Sequence, residues 1–307
     1  MAMRKLEKIW LDGKLVDWDD AHVHILTHSL HYGMAAFEGI RCYKREDGRA
    51  SIFRLREHLD RLWDSCKVIA VKVPYSMETI REACLSVLRA NKLDEAYLRP
   101  LVFLGDESMG IGATDVSTRV SVIAYEWGAY LGEEGLKKGI RAKVSSFARH
   151  HVNVGMTMAK LTGQYLNSIL AKREALAGGY DEAIMLDVNG YVAEGSGQNI
   201  FIVRHGRIRT PPVSASILPG ITRDSVLRMA REDGIAIEET SFARDEMYIA
   251  DEVFLAGTAS EVTPVREVDN RPIGTGDPGP ITRKLQREYF EIVKGKQVRY
   301  PEWLTFL

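Results

Sequence analysis

The chain has 307 residues, 45% hydrophobic and 27% charged, with a formal net charge of −1. That length supports one large or two ordinary domains. The near-neutral balance argues against disorder and against an electrostatic nucleic-acid binder, so a small neutral or acidic ligand is expected. Cys42, Cys66 and Cys84 are odd in number and lack CxxC spacing, which argues against a disulfide framework or structural zinc and for buried thiols in a reducing compartment.

The N-terminus, MAMRKLEKIW, carries charge without the apolar run of a signal peptide, and no apolar stretch is long enough to span a bilayer, so a cytoplasmic protein with no membrane partner is expected. KIWLDGKLVDW reads as a hairpin about Asp12-Gly13. FEGIRCYKREDGRASIFRL repeats that logic, with strands near 37–44 and 50–53. Leu55, Leu59, Leu62 and Trp63 stand at helical spacing, as do Ile80, Cys84, Val87 and Leu88, and two β-rich runs follow at 96–104 and 118–127. A sheet with two helices is an α+β unit, here assigned to 1–127.

GAYLGEEGLKKG, 128–139, has four glycines and mixed charge and reads as a linker. A second domain, 140–307, then opens with the strand IRAKVSSF and the helix LTGQYLNSILAKREALAGG, stopped by Gly178 and Gly179. EAIMLD, YVAEGS and NIFIVRHGRIR read as strands, ITRDSVLRMAREDG as a helix behind Pro219-Gly220, EVFLAGTAS as a strand running into a small-residue turn, and 280–293 as a last helix.

MTMAKLTGQY holds one cation, Lys160, among small and apolar neighbours. Such a lysine either snorkels to solvent or, desolvated, serves as a nucleophile. LPGITRD puts Pro219-Gly220 ahead of a helix whose first N–H groups, at Ile221 and Thr222, suit an anion, with the Thr222 hydroxyl as a further donor; an ordinary helix start has the same look. GTAS, 257–260, adds a second donor-rich turn. Glu194, in GYVAEGSGQN, is either a surface hairpin residue or the partner of a protonated heterocyclic nitrogen. Arg61 lies three residues after His58 on one helix and offers either a solvated charge or a phosphate clamp. His22, His24, His28 and His31 lack acid or thiol ligands at a matching spacing, so no metal is expected. Taken together, these parts suit pyridoxal 5'-phosphate: a Schiff-base lysine, a carboxylate at the ring nitrogen and a phosphate cup.

The segments HYGMAAFEGIRCY, FRLREHLDRLWDS, AYLRPLVFLGD, MAKLTGQYLNS, LDVNGYVAEGSGQNIF, LPGITRDSV and EVFLAGTASEVTPV closely resemble, in order, the signature segments of branched-chain-amino-acid aminotransferases, fold type IV pyridoxal-phosphate enzymes of aminotransferase class IV. The resemblance implies a small α+β domain and a larger domain with a pseudo-barrel sheet. It makes Lys160 the Schiff-base lysine and general acid–base, and Glu194 the ring-nitrogen partner. Tyr165 would bond the phenolic oxygen, Leu218 pack on the ring, and Arg61, Ile221, Thr222 and Thr258 hold the phosphate. Phe37, Tyr97, Trp127 and Tyr130 would line the pocket for an aliphatic side chain. Thr258, Ala259 and the Tyr97 hydroxyl would bind the α-carboxylate, and Arg99 the second carboxylate of glutamate. Tyr32 and Ile111 match residues contributed by a neighbouring subunit, which implies a homo-oligomer, a dimer at least, with a hexamer built as a trimer of dimers left open.

The reaction so implied is transamination of L-leucine, L-isoleucine and L-valine with 2-oxoglutarate, giving branched 2-oxo acids and L-glutamate. Two departures stand out: Val152–Met158 lacks the prolines frequent ahead of this lysine, and Gln198 occupies a position where many members carry Glu. A D-amino-acid or (R)-amine transaminase, an aminodeoxychorismate lyase-like enzyme and a non-enzymatic phosphate-ligand binder are the rival readings.

Overall fold

The computed structural model describes residues 4–128 and 130–307. Residues 1–3 of the charged N-terminus, and residue 129 within the expected linker, lie outside the described residues. The chain forms two compact units, Met1–Trp127 with Ala159–Gln164 and Ile292–Leu307, and Gly128–Met158 with Tyr165–Glu291. This differs from a division at 127 and 139 in three ways. The Lys160 segment and the C-terminal residues belong with the first unit, and the expected linker contains a helix, Gly132–Lys138, that belongs to the second. Local composition cannot reveal such crossings, because they are made by long-range pairing.

The first unit is an antiparallel sheet in the order Leu304–Phe306, Ala50–Phe53, Ile40–Lys44, Ala96–Leu104, Thr118–Tyr125, Lys8–Leu11, Lys14–Asp17, with Ala35–Phe37 also paired to Ala96–Leu104. The first hairpin turns on Asp12 (φ 47°) and Gly13 (φ 97°), the left-handed pair that a two-residue loop requires. The sheet packs on helices Leu55–Val68 and Met77–Ala90 through Leu55, Leu59, Leu62, Ile80, Cys84, Val87 and Leu88. All three thiols are buried, and burial pushes each up to about 12. Fully burying one such aliphatic side chain contributes about 1.5–3 kcal/mol, so this inner face holds the helices rigidly enough to aim their polar residues.

The strand order of the second unit closes on itself. Val192–Gly195, Glu182–Leu186, Ile140–Val144, Glu261–Val268, Glu252–Gly257 and Asn199–Arg204 pair successively, and the last returns to the first through Glu194 and Asn199. Ile140–Val144 is parallel to both neighbours and the other pairs are antiparallel. This is the pseudo-barrel expected, and the α+β class holds. Helix Ile221–Glu232 and helix Pro280–Val293 belong to this unit up to Glu291. No helix among the described residues is long and apolar enough to cross a membrane.

Candidate active site

The candidate residues form two sets, one in each unit. In the first unit the helix Leu55–Val68 buries His58, Arg61 and Ser65 along one stripe, at spacings of three and four residues that share a helix face. Opposite the stripe, the Lys160 segment lies along strand Ala35–Phe37. The Phe37 N–H donates to the Lys160 carbonyl at 3.1 Å, the Lys160 N–H donates to Ser65 Oγ at 2.9 Å, and Gly163 N–H donates to Gly33 O at 3.1 Å. A Cβ on Gly33 would stand 3.0 Å from Gly163 Cα, so small residues flanking the lysine let two backbones meet. Lys160 is half-buried, its ammonium 4.9 Å from the centre of the Phe37 ring.

Arg61 is buried against Glu38, a fully enclosed carboxylate. Arg61 Nε donates to Glu38 Oε1 at 2.7 Å and Nη2 to Oε2 at 2.9 Å, while His58 Nδ1 meets Oε2 at 2.7 Å. Burial works to raise the Glu38 carboxyl, but Arg61 and His58 outweigh it and hold it well below the ordinary carboxylate range. Burial pushes the His58 imidazole down, so it sits neutral with Nδ1 as the donor. The expected phosphate clamp is therefore a guanidinium already oriented by a carboxylate. The Glu38 pairing was not read from the sequence, although an acid between Phe37 and Gly39 in a buried run was its visible sign.

An aromatic wall surrounds Arg99. Its guanidinium carbon lies 4.6 Å from the Phe37 ring centre and 5.7 Å from that of Tyr97, and Nη2 donates to the Tyr125 hydroxyl at 3.1 Å. Tyr97 and Trp127 rings are 5.7 Å apart. A Cβ on Gly39 would come within 1.9 Å of the Tyr97 hydroxyl, so the glycine opens the place that hydroxyl occupies. Apolar faces with one embedded guanidinium suit both an aliphatic and a carboxylate-bearing side chain. Tyr32 is 43% and Ile111 94% exposed; neither touches this wall in the contacts described.

In the second unit Glu194 is buried and accepts from three described donors. Arg149 Nε donates to Oε1 at 2.7 Å; Asn199 Nδ2 and the Leu218 N–H donate to Oε2 at 3.2 and 3.1 Å. Asn199 Nδ2 also donates to Leu218 O at 2.9 Å, tying the carboxylate to the turn before helix Ile221–Glu232. That helix has Gly220 as N-cap with no side-chain cap, and Thr222 is buried in its first turn. A Cβ on Gly220 would fall 2.1 Å from Asn199 Oδ1. Leu218, Ile221 and Thr222 thus follow one another off a single anchored turn. An acceptor-only carboxylate fits a protonated ring nitrogen, and an uncapped helix start fits a phosphate. Arg149 and Asn199 were not singled out from the sequence, since neither belongs to a spaced pattern.

Thr258 and Ala259 lie in the turn between strands Glu252–Gly257 and Glu261–Val268. A Cβ on Gly257 would lie 3.3 Å from Gly197 O and 3.4 Å from Gln198 Cγ, so this turn rests on the 196–198 loop. There Gln198 Nε2 and Ser196 Oγ donate to the fully buried Glu182, at 2.9 and 2.6 Å, with Lys172 Nζ at 2.8 Å. Gln198 is therefore a donor where a glutamate would face a second carboxylate. The Lys172 ammonium also lies 5.2 Å from the centre of the Tyr130 ring. Burial, then the Glu182 charge, push the Tyr130 hydroxyl up to about 12, and Tyr165 is near enough to add to that. Ahead of Lys160, Val152–Gly155 is a short helix that ends on Met156 in the left-handed region (φ 44°), a turn made without proline.

The class IV amino-transferase family model matches residues 35–268. The branched-chain-amino-acid aminotransferase of Pseudomonas aeruginosa is 54% identical over 299 residues, covering 97% of each chain. The crystal structure of the Escherichia coli branched-chain amino acid aminotransferase superposes with a TM-score of 0.95 at 47% identity, covering 98% of this chain and 99% of that one. A branched-chain amino acid aminotransferase solved in complex with N-(5'-phosphopyridoxyl)-L-glutamate superposes with a TM-score of 0.94 at 44% identity, with coverage of 98% and 99%.

Proposed function

This chain belongs to the class IV aminotransferases, among the branched-chain-amino-acid aminotransferases, and on that premise we propose how its own residues carry the reaction. It is a pyridoxal 5'-phosphate enzyme that moves the amino group of L-leucine, L-isoleucine or L-valine to 2-oxoglutarate, giving branched 2-oxo acids and L-glutamate. The cofactor, when bound, supplies an electron sink for the carbon that loses its proton. Lys160 holds the cofactor through its amine and moves that proton. Glu194 keeps the ring nitrogen protonated, and Tyr165 bonds the phenolic oxygen. Leu218 packs on the ring, and Arg61, Ile221, Thr222 and Thr258 hold the phosphate.

Phe37, Tyr97, Trp127 and Tyr130 receive the aliphatic side chain. Thr258, Ala259 and the Tyr97 hydroxyl take the α-carboxylate, and Arg99 takes the side-chain carboxylate of glutamate. The observation that carries this reading is the set of three described donors on the buried Glu194, which orient it as an acceptor suited to a protonated nitrogen. The phosphopyridoxyl-glutamate ligand of the solved relative supports placing cofactor and glutamate in one site. The assembly is a homo-oligomer, a dimer at least, in the cytoplasm, with the exposed Tyr32 and Ile111 serving a neighbouring subunit.

Borohydride reduction of the purified holoenzyme followed by peptide mass analysis tests the assignment. Cofactor mass on the Lys160 peptide is expected, together with spectral conversion by L-leucine and L-glutamate. A colourless protein indifferent to borohydride, or conversion by D-alanine or (R)-1-phenylethylamine alone, overturns it.

A further inference from the structure

Resting on that reading of Glu194, we infer that Arg149 is a positioning residue that decides where the proton of the Glu194–ring nitrogen bond resides. Arg149 is held at the end of strand Glu182–Leu186, its N–H donating to Leu186 O at 2.7 Å. Its side chain is 8% exposed, that of Glu194 5%, and Nε meets Oε1 at 2.7 Å. A single proton links a carboxylate and a pyridine nitrogen in such a pair, and a buried site favours the neutral arrangement, acid beside unprotonated ring. A cation on the far oxygen opposes this. With Arg149 on Oε1, and Asn199 and the Leu218 N–H on Oε2, moving the proton onto Glu194 would set an acid O–H among donors and strip the guanidinium of its counter-charge. The proton therefore stays on the ring, and no proton is gained or lost in the exchange. Asn199 and Leu218 fix the orientation of the carboxylate; Arg149 alone among the three carries charge.

The test uses holoenzyme loaded with cofactor labelled with nitrogen-15 in the ring, and reads the ring resonance. Wild type is expected in the protonated range, Arg149→Met displaced toward the unprotonated value, and Arg149→Lys returned to the protonated range. Arg149→Gln, which keeps a donor toward Oε1 but removes the charge, is expected to shift in the same direction as Arg149→Met and serves where that variant does not fold. A protonated ring in a cofactor-loaded Met or Gln variant overturns the inference. An unprotonated ring in wild type, or no cofactor bound in wild type, instead overturns the reading of Glu194 on which it rests.

Discussion

Arg61 and Glu38 meet in a two-pronged pair, Nε to Oε1 at 2.7 Å and Nη2 to Oε2 at 2.9 Å, with the carboxylate fully enclosed. Removing one member of a buried ion pair costs about 3–5 kcal/mol. Glu38→Ala is therefore expected to lower unfolding free energy by about that amount and to weaken cofactor retention, because the guanidinium loses its orientation. Urea titration of the apoprotein and cofactor dialysis measure the two effects. Unchanged stability would show that the pair is not closed in solution.

The same cluster sets a pH response. Burial keeps His58 neutral in the native state, whereas the unfolded chain takes up that proton near 6.5. Stability accordingly falls as pH drops below about 6.5. Glu38, whose native carboxyl is held low, adds stability that is complete above about pH 4.3 and is lost as pH falls through its lower native value. Urea midpoints between pH 7 and pH 4 should decline monotonically, and His58→Asn should flatten the upper part of that slope. A midpoint that rises on acidification through this range contradicts the sign for His58.

Lys160→Ala is expected to lose at least the roughly 10²–10⁴-fold that one positioned proton-transfer group contributes. Single-turnover kinetics with L-leucine measure it. The backbone contacts of Lys160 to Phe37 and Ser65 do not involve the side chain, so the variant should keep them.

Gly39→Ala places a methyl group 1.9 Å from the Tyr97 hydroxyl. Overpacking of this kind costs about 1–3 kcal/mol, relieved here by displacing the tyrosine. The expected result is a raised KM for both L-leucine and L-glutamate, since Tyr97 is assigned to the α-carboxylate common to them. An effect on leucine alone would remove the α-carboxylate role of Tyr97 and leave only its place in the side-chain pocket.

Lys172→Met leaves Glu182 buried with neutral donors only, Ser196, Gln198 and the Ala183 N–H. A loss of about 3–5 kcal/mol follows, and Tyr130 loses the cation against its ring. Denaturant unfolding gives the first quantity. The second appears as a weaker preference for branched over straight-chain substrates in competition assays.

Much was legible locally. The Asp12-Gly13 hairpin, the helices carrying Leu55–Leu62 and Ile80–Leu88, and the uncapped start at Gly220-Ile221 follow from turn chemistry, periodicity and the lack of a capping side chain. These are properties of a few consecutive residues. Ordered motifs also pointed to Lys160, Glu194 and Arg61 as site candidates. Strands Glu261–Val268 and Leu304–Phe306 were not anticipated, because a strand buried or completed by a distant partner need not alternate along its own length.

By itself, then, the sequence determined the element types, the lone lysine among small residues, the family and its chemistry. Only the tertiary structure decided which charges face one another: Glu38 on Arg61, Arg149 on Glu194, Lys172 on Glu182. It also decided that Lys160 packs with the first unit rather than with the helix that follows it. The physical reason is common to all four. An ion pair or a backbone contact between residues 10 to 130 positions apart arises when closure of the sheets brings two strands or a helix stripe together, and no local pattern records that closure.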